Sequence, residues 1–222
     1  MIDKPILTKR EIESKISNVG DYVKIDFLAR CLKSNIELET RRFVLLKLSE
    51  LYEKLKMYYE SARSVRNASE LNPSDDGKMR DLFRAMELFI KSENYEDAEV
   101  SFTRALSYAK EILKPELRRN RIQVYKNMTE DFAKKGKWRN AITAYEKFIR
   151  ITEISAEERK KAQQELLKIY EKIGKVSEYG SLKRSLEAPT IVPEAKLKEK
   201  NDDFDIDAFL GPMPEQKKKS FY

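Results

Sequence analysis

Apolar residues recur along most of the chain at spacings of three and four, which is the period of an amphipathic helix. Two of the clearest runs are Leu45, Leu48, Tyr52, Leu55 and Leu82, Ala85, Phe89. No convincing segment alternates apolar and polar residues with the period of a β-strand. The pattern therefore predicts an all-α fold built from many short helices.

Local signals mark where several of these helices begin. Thr8 with Glu11, and Ser155 with Glu158, have the spacing of capping boxes, in which each side chain satisfies a backbone N–H at the start of a helix. Pro115 stands where the first turn of a helix accepts proline, because no hydrogen bond from its nitrogen is needed there. These signals predict helices that are closely joined.

The helical pattern also repeats along the chain. A large apolar residue closes one helix, a short turn follows, and small or apolar residues at spacings of four and three begin the next helix. The clearest copy consists of Phe132, Gly136, Trp138, Ala141, Tyr145 and Phe148. The helix-closing residues of the other copies are Ile16, Tyr52, Phe89 and Tyr170, so the copies lie roughly 36 to 43 residues apart. The first and last copies are weaker, because Ile25 and Tyr179 replace the small residue.

This pattern resembles the tetratricopeptide repeat (TPR) family, whose helix-turn-helix unit of about 34 residues has small residues where its two helices cross. The resemblance covers residues 6–187 and implies an α-solenoid of about five TPR-like hairpins, stacked so that they bury one continuous core. The family's opening tryptophan and Leu-Gly pair are missing, and the spacing exceeds 34, so a related helical-hairpin solenoid is the alternative.

In this family the inner faces of the first helices line a groove that holds peptides, so the resemblance implies a non-enzymatic adaptor for a partner protein or peptide. The groove-lining residues expected on this basis are Lys54, Lys91, Lys134, Lys172, Phe83 and Lys126. The column of lysines would suit an acidic peptide or a phosphate. Alternatively, Glu50, Glu87 and Glu130 pair with lysines four residues later and only stabilise their own helices.

A basic region in the third of the three well-defined hairpins suggests a different class of function. Its members are Arg118, Arg119, Arg121, Lys135, Lys137 and Arg139. Together with Trp138 they would suit RNA or single-stranded DNA, which binds where aromatic rings alternate with cations. Trp138, however, occupies the position after the turn that Tyr95 fills in the preceding copy, which favours a packing role.

Composition excludes several classes of function. The 45 Lys plus Arg against 38 Asp plus Glu give a net charge of +7, a basic excess too small to select a partner. The chain has no histidine and a single cysteine, Cys31, so neither an intramolecular disulfide nor a His/Cys metal site is expected. No phosphate-binding loop or catalytic motif occurs, and we expect neither enzymatic activity nor a cofactor. The sequence shows no signal-peptide core or run of 18 apolar residues, which predicts a cytoplasmic protein without membrane insertion.

Residues 188–222 differ in composition from the rest of the chain. The helical pattern stops, the segment 202–211 alternates acidic and apolar residues, and the chain ends in a basic run. We expect a flexible tail, because too little apolar surface is present to offset the entropy of ordering. Its candidate docking motif consists of Phe204, Ile206, Phe209 and Leu210. The alternative is a solubilising spacer.

Overall fold

The computed structural model describes residues 7–187, and every regular element in that range is a helix. The α-helices are α1 (Lys9–Ile16), α2 (Asp21–Lys33), α3 (Leu38–Lys54), α4 (Tyr58–Glu70), α5 (Asp75–Lys91), α6 (Tyr95–Tyr108), α7 (Lys114–Lys134), α8 (Trp138–Ile149), α9 (Ala156–Ile173) and α10 (Val176–Glu187). A single 3-10 turn, Glu111–Leu113, precedes α7. The predicted all-α fold is confirmed, and none of the described helices is long and apolar enough to cross a bilayer.

The helix starts that the sequence predicts are present. The Thr8 N–H donates to the Glu11 carboxylate at 2.8 Å, and the Thr8 hydroxyl accepts from the Glu11 N–H, which completes the first capping box. Ser155 and Glu158 form the second capping box at the start of α9. Pro115 lies in the first turn of α7. The two capping boxes satisfy backbone donors that a helix start otherwise leaves without partners.

The same turn connects the paired helices of four successive hairpins. The fourth residue after each helix-closing residue has a left-handed backbone, with φ values of 61° at Lys56, 66° at Glu93, 68° at Gly136 and 74° at Gly174. In each turn the next N–H donates back to the carbonyl of the helix-closing residue, as Met57 does to Tyr52 at 2.8 Å and Lys137 to Phe132 at 3.0 Å. This is the Schellman arrangement. The sequence repeat is therefore also a repeat of backbone geometry.

The small residue of the repeat lies fully buried in each middle hairpin. Ser61, Ala98 and Ala141 are 0% exposed, in hairpins where α3 packs on α4, α5 on α6 and α7 on α8. Ile25 and Tyr179 hold the same position in the terminal hairpins, and both are only half-buried. Because a bulkier side chain keeps two helices further apart, α1 with α2 and α9 with α10 make fewer close backbone contacts.

Buried apolar side chains form two cores in the described residues. The N-terminal core draws on α1 to α3 and includes Leu28 and Val44. The larger core extends from α4 to α9, with side chains of α10 packed on its edge, and includes Phe89. Between α3 and α4 the buried hydroxyls of Ser49 and Ser61 lie 2.9 Å apart and hydrogen-bond to each other. The larger core fixes which faces of α7, α8 and α9 remain outside it.

Candidate peptide-binding groove between helices α7 and α9

A groove of about 420 Å³ lies between α7 and α9, with α8 supplying its floor. This volume is within the range of ligand pockets in proteins, roughly 300–1,000 Å³. The helix α8 packs against both α7 and α9, so three packed helices define the groove. Each wall comes from one helix, and its lining residues are set by helical spacing.

The α7 wall carries an excess of positive charge. Its charged residues are Lys126, Glu130 and Lys134, which recur every four residues on one face of the helix. Lys134 is 76% exposed and approaches Glu130 at 3.6 Å. Lys126 is exposed and forms no ion pair with any described residue. Two lysines and one glutamate give this wall a net charge of +1.

The α9 wall has the opposite charge. It presents Glu158, Lys161 and Glu165, again at spacings of three and four. The carboxylate of Glu158 accepts hydrogen bonds from the Ser155 N–H and hydroxyl, since it belongs to the capping box that begins α9. Glu165 pairs with Lys168 at 2.6 Å. Two glutamates and one lysine give the α9 wall a net charge of −1.

The floor of the groove is apolar and aromatic. Tyr145 and Phe148 of α8 line it, and both are almost entirely buried. Burial raises the pKa of Tyr145 above its usual value; a hydrogen bond with Thr129 acts against this shift, and the negative charges of Glu165 and Glu130 add to it. These two carboxylates belong to opposite walls, so the floor lies close to negative charge on both α7 and α9.

The two walls of the groove do not pair with each other. Between the earlier first helices α3 and α5, Arg84 bonds Glu53 at 2.6 Å and Arg42 bonds Asp81 at 2.9 Å, which closes that gap with ion pairs. Among the described residues no ion pair joins α7 to α9, where the pairs instead form within each helix. The charged side chains of the two walls thus border the groove without spanning it.

Two of the six groove-lining residues expected from the sequence line the α7–α9 groove, and four do not. Lys126 and Lys134 line the α7–α9 groove. Three other lysines have partners elsewhere: Lys54 pairs with Asp21 at 2.6 Å, Lys91 with Glu53 at 3.4 Å, and Lys172 lies 4.4 Å from the Trp138 ring centroid. Phe83 packs edge-on against Phe102, with 6.4 Å between ring centroids. The expectation that these lysines line one peptide-binding groove therefore stays a prediction.

The alternative of glutamate and lysine pairs within one helix applies to one of the three cases. Glu130 approaches Lys134, as expected. Glu50 instead pairs with Lys47, and Glu87 pairs with Arg84. A lysine four residues from one glutamate also meets acids on neighbouring helices, and spacing alone does not decide between them.

The basic region proposed for nucleic acid is not one surface. Arg121 is 7% exposed and bonds Glu99 at 2.7 Å and Glu153 at 2.6 Å, so it is a buried ion-pair residue and not part of a patch. Arg121 and Lys135 are separated by about 21 Å along α7, at 1.5 Å per residue. The arginine and lysine clusters therefore lie far apart along one helix, and the prediction that they lie near one another is wrong.

The remaining members of that region are dispersed. Lys135 pairs with Asp131 at 2.6 Å, and Arg118 approaches Glu153 at 3.6 Å. The other exposed members are Arg119, Lys137 and Arg139. Trp138 is half-buried, packs against the larger core and carries Lys172 against its ring. These contacts give Trp138 a packing position between α8 and α9.

Sequence reasoning missed the α9 wall entirely. A usable signal was present, since the Ser155 capping box fixes where α9 begins, and Glu158, Lys161 and Glu165 then follow on one face. The tail motif at Phe204, Ile206, Phe209 and Leu210 lies outside the described residues. Among residues 7–187, no group of three acidic or cysteine side chains is placed to hold a metal ion.

In comparisons with known proteins, no family model and no curated sequence matches the chain. The resemblance to TPR proteins therefore stays a prediction that depends on the repeat pattern.

Proposed function

We propose that this protein is a non-enzymatic adaptor whose α7–α9 groove holds a segment of a partner protein. One observation carries the proposal: the groove combines an apolar floor at Tyr145 and Phe148 with charged walls that form no ion pair across it. A partner segment would cover the floor and meet both walls. The scaffold for this groove is an α-solenoid of TPR-like hairpins.

Two features of the described residues support the solenoid arrangement. The turn geometry recurs in four hairpins, and most helices pack against their neighbours in chain order, while α5 also contacts α7. Stacked hairpins hold their first helices in a fixed relation, because each unit buries its apolar face against the next. A groove between two first helices is then preformed, which reduces the entropy that binding must overcome.

Apolar contact within the groove would supply most of the affinity. Removing a large aliphatic or aromatic side chain of the partner from water contributes roughly 1.5–3 kcal/mol. Tyr145 and Phe148 are almost entirely buried and present only a small part of their rings, while Ala133 and Ala162 complete the apolar lining. The wall charges fix how the segment lies. Residues 188–222 serve as a second contact for another surface in this proposal. RNA or DNA binding has no comparable support, because Arg121 is buried and the basic clusters are separated.

A displayed random-peptide library selected against the full-length chain tests groove binding. Ala133 lines the groove and is half-buried, so Ala133→Phe would fill the groove with an aromatic ring. Ala29 on α2 is also half-buried but lies outside the groove, and Ala29→Phe is the matched control. Selected peptides should lose roughly tenfold or more in affinity for Ala133→Phe and bind the control like the wild type.

Equal affinity for both variants, or a library that yields no binder, would reject the groove as the binding site. Circular dichroism melts of the two variants establish that each is folded. A pull-down with the full-length chain and with a chain lacking residues 202–222 tests the tail separately. If the tail is a second contact, its deletion should lower partner recovery without affecting peptide binding in the groove.

A further inference from the structure

The geometry points to a partner segment that is amphipathic and dipolar: a helix with an apolar stripe, acidic residues along one flank and basic residues along the other. This inference rests on the proposed function, because it specifies what the α7–α9 groove would bind. It is carried by the opposite charges of the two walls. The apolar stripe faces Tyr145 and Phe148, and each flank faces one wall.

The charge of each wall selects the flank that lies beside it. Lys126 has no ion-pair partner among the described residues, and Lys134 is mostly exposed, so the α7 wall favours acidic side chains. On the α9 wall, Glu158 and Glu165 outnumber Lys161 and favour basic side chains. A segment with acidic residues on both flanks gains electrostatic binding energy at the α7 wall and loses it at the α9 wall, so the two effects cancel. The dipolar segment gains electrostatic binding energy at both walls.

The same arrangement fixes the direction of the bound helix. With its apolar stripe against the floor, a helix turned end for end exchanges its left and right flanks. The acidic flank would then face Glu165 and Glu158, and the basic flank would face Lys126. A given dipolar segment therefore binds in one direction only, which a neutral groove could not impose.

Charge reversal of single wall residues provides the test. Lys126→Glu gives both walls a net negative charge, and Glu165→Lys gives both walls a net positive charge. Both positions are solvent-exposed enough for the chain to tolerate either change: Glu165 is 50% exposed and Lys126 is exposed. The double variant restores walls of opposite sign, with the polarity of the groove inverted.

The probes are labelled synthetic peptides of about 14 residues that share one apolar stripe at helical spacing. Their flanks carry Glu on one side and Lys on the other, Glu on both, Lys on both, or Gln on both. Affinity for the full-length chain is measured by fluorescence anisotropy at low salt and near 1 M salt, where the Debye length falls to about 3 Å. Circular dichroism establishes that each variant is folded.

The wild type should bind the dipolar peptide roughly three- to tenfold more tightly than the other three peptides, and high salt should reduce this preference. Lys126→Glu should shift the preference to the Lys-flanked peptide, Glu165→Lys to the Glu-flanked peptide, and the double variant should prefer the dipolar peptide again. A Gln-flanked peptide that binds as tightly as the dipolar one, an unchanged ranking in the variants, or no binding by any peptide overturns the inference.

The Ala133→Phe variant distinguishes failure of the charge selection from failure of the proposed function. If peptides bind without regard to flank charge, yet lose affinity in Ala133→Phe, the groove is a binding site and the charge selection is rejected. If Ala133→Phe and Ala29→Phe bind every peptide equally, both the groove and its selectivity are rejected.

Discussion

Arg121 shows how strongly the surroundings of one residue can depart from what its type suggests. It extends from α7 to Glu99 of α6 and to Glu153 before α9, and its guanidinium lies 4.4 Å from the Phe102 ring centroid. Arginine suits this position, because its planar group can bond two carboxylates and stack on an aromatic ring at once. Arg121 therefore connects α6, α7 and the loop between α8 and α9.

Replacing Arg121 with alanine should lower the free energy of unfolding by about 2–3 kcal/mol. This expected loss of unfolding free energy is smaller than for a fully buried ion pair, because Glu99 and Glu153 are partly exposed and can be rehydrated. Arg119→Ala is the matched control, since Arg119 is exposed and forms no ion pair with a described residue. Urea unfolding followed by the fluorescence of Trp138, the single tryptophan, measures both variants. Equal losses in the two would contradict a structural role for Arg121.

Sequence alone could not have placed Arg121 in the interior. Charged residues are almost never fully buried, so three arginines in four positions suggest an exposed surface. The partners of Arg121 are 22 and 32 residues distant in the chain, and their positions depend on how α6, α7 and α9 pack. Burial of a cation follows from tertiary contacts that no local pattern records.

At the scale of the helices, the repeated turn requires a left-handed residue but not a glycine. Gly136 and Gly174 adopt this backbone without strain, whereas Lys56 and Glu93 adopt it despite a Cβ atom. A residue other than glycine costs roughly 1–2 kcal/mol in the left-handed region. The hairpins that begin with α3 and α5 therefore contain a conformational cost that the later hairpins avoid.

Lys56→Gly should raise the free energy of unfolding by about 1 kcal/mol, because glycine accepts the left-handed backbone at Lys56. The Lys56 side chain forms no ion pair with a described residue, so its loss adds little, and Lys56→Ala should leave stability nearly unchanged. Gly136→Ala should lower stability by a similar amount. Thermal and urea unfolding measure all three. Equal stability of the Gly and Ala variants at position 56 would mean that this backbone is not strained.

The helices and their crossings were largely predictable, because their causes are local. Capping boxes fix two helix starts, and the small residues Ser61, Ala98 and Ala141 mark where paired helices meet. The groove was only half predictable, since Lys126 and Lys134 follow from the repeat but the α9 wall does not. A long side chain can reach acids on its own helix and on neighbouring helices, and Lys91 approaches Glu53 on α3. Which acid it pairs with depends on the distances between helices.

Across the described part of the molecule, carboxylates join one hairpin to the next. Arg66 bonds Asp97 at 2.6 Å between α4 and α6, and Lys147 bonds Glu96 at 2.8 Å between α8 and α6. Arg84 bonds Glu53 at 2.6 Å between α5 and α3. Contacts between hairpins therefore depend on ionised acids in addition to apolar packing. Stability should depend on pH wherever those acids change protonation.

The pKa values of several of these acids are lowered. For Glu53, burial would raise the pKa, but hydrogen bonds from Arg84 and the positive charges of Arg84 and Lys91 outweigh it. For Glu96, the hydrogen bond from Lys147 is the main cause of a lowered pKa. A lowered pKa in the folded state stabilises the fold above the unfolded pKa, about 4.3 for Glu, and this stabilisation is lost as the pH falls through the folded pKa.

Stability should therefore be nearly constant from about pH 6 to 8 and fall below about pH 5. The plateau follows from the absence of histidine, which leaves no side chain with an ordinary pKa in that range. Burial raises the pKa of Tyr125, with the nearby Glu99 charge adding to it, so stability should also decline above about pH 10. Urea unfolding at unit steps of pH measures the profile. A maximum or a steep slope between pH 6 and 8 would contradict it.

The variant Arg84→Met identifies one source of the loss of folding stability at low pH. Without Arg84 the pKa of Glu53 should move back toward its ordinary value, so the fall in unfolding free energy between pH 7 and 4 should shrink by roughly 0.5–1 kcal/mol. Arg80→Met is the matched control, because Arg80 lies one turn earlier on α5, is exposed and forms no ion pair with a described residue. If both variants lose stability in acid as the wild type does, the pairing of Glu53 with Arg84 does not contribute to acid sensitivity.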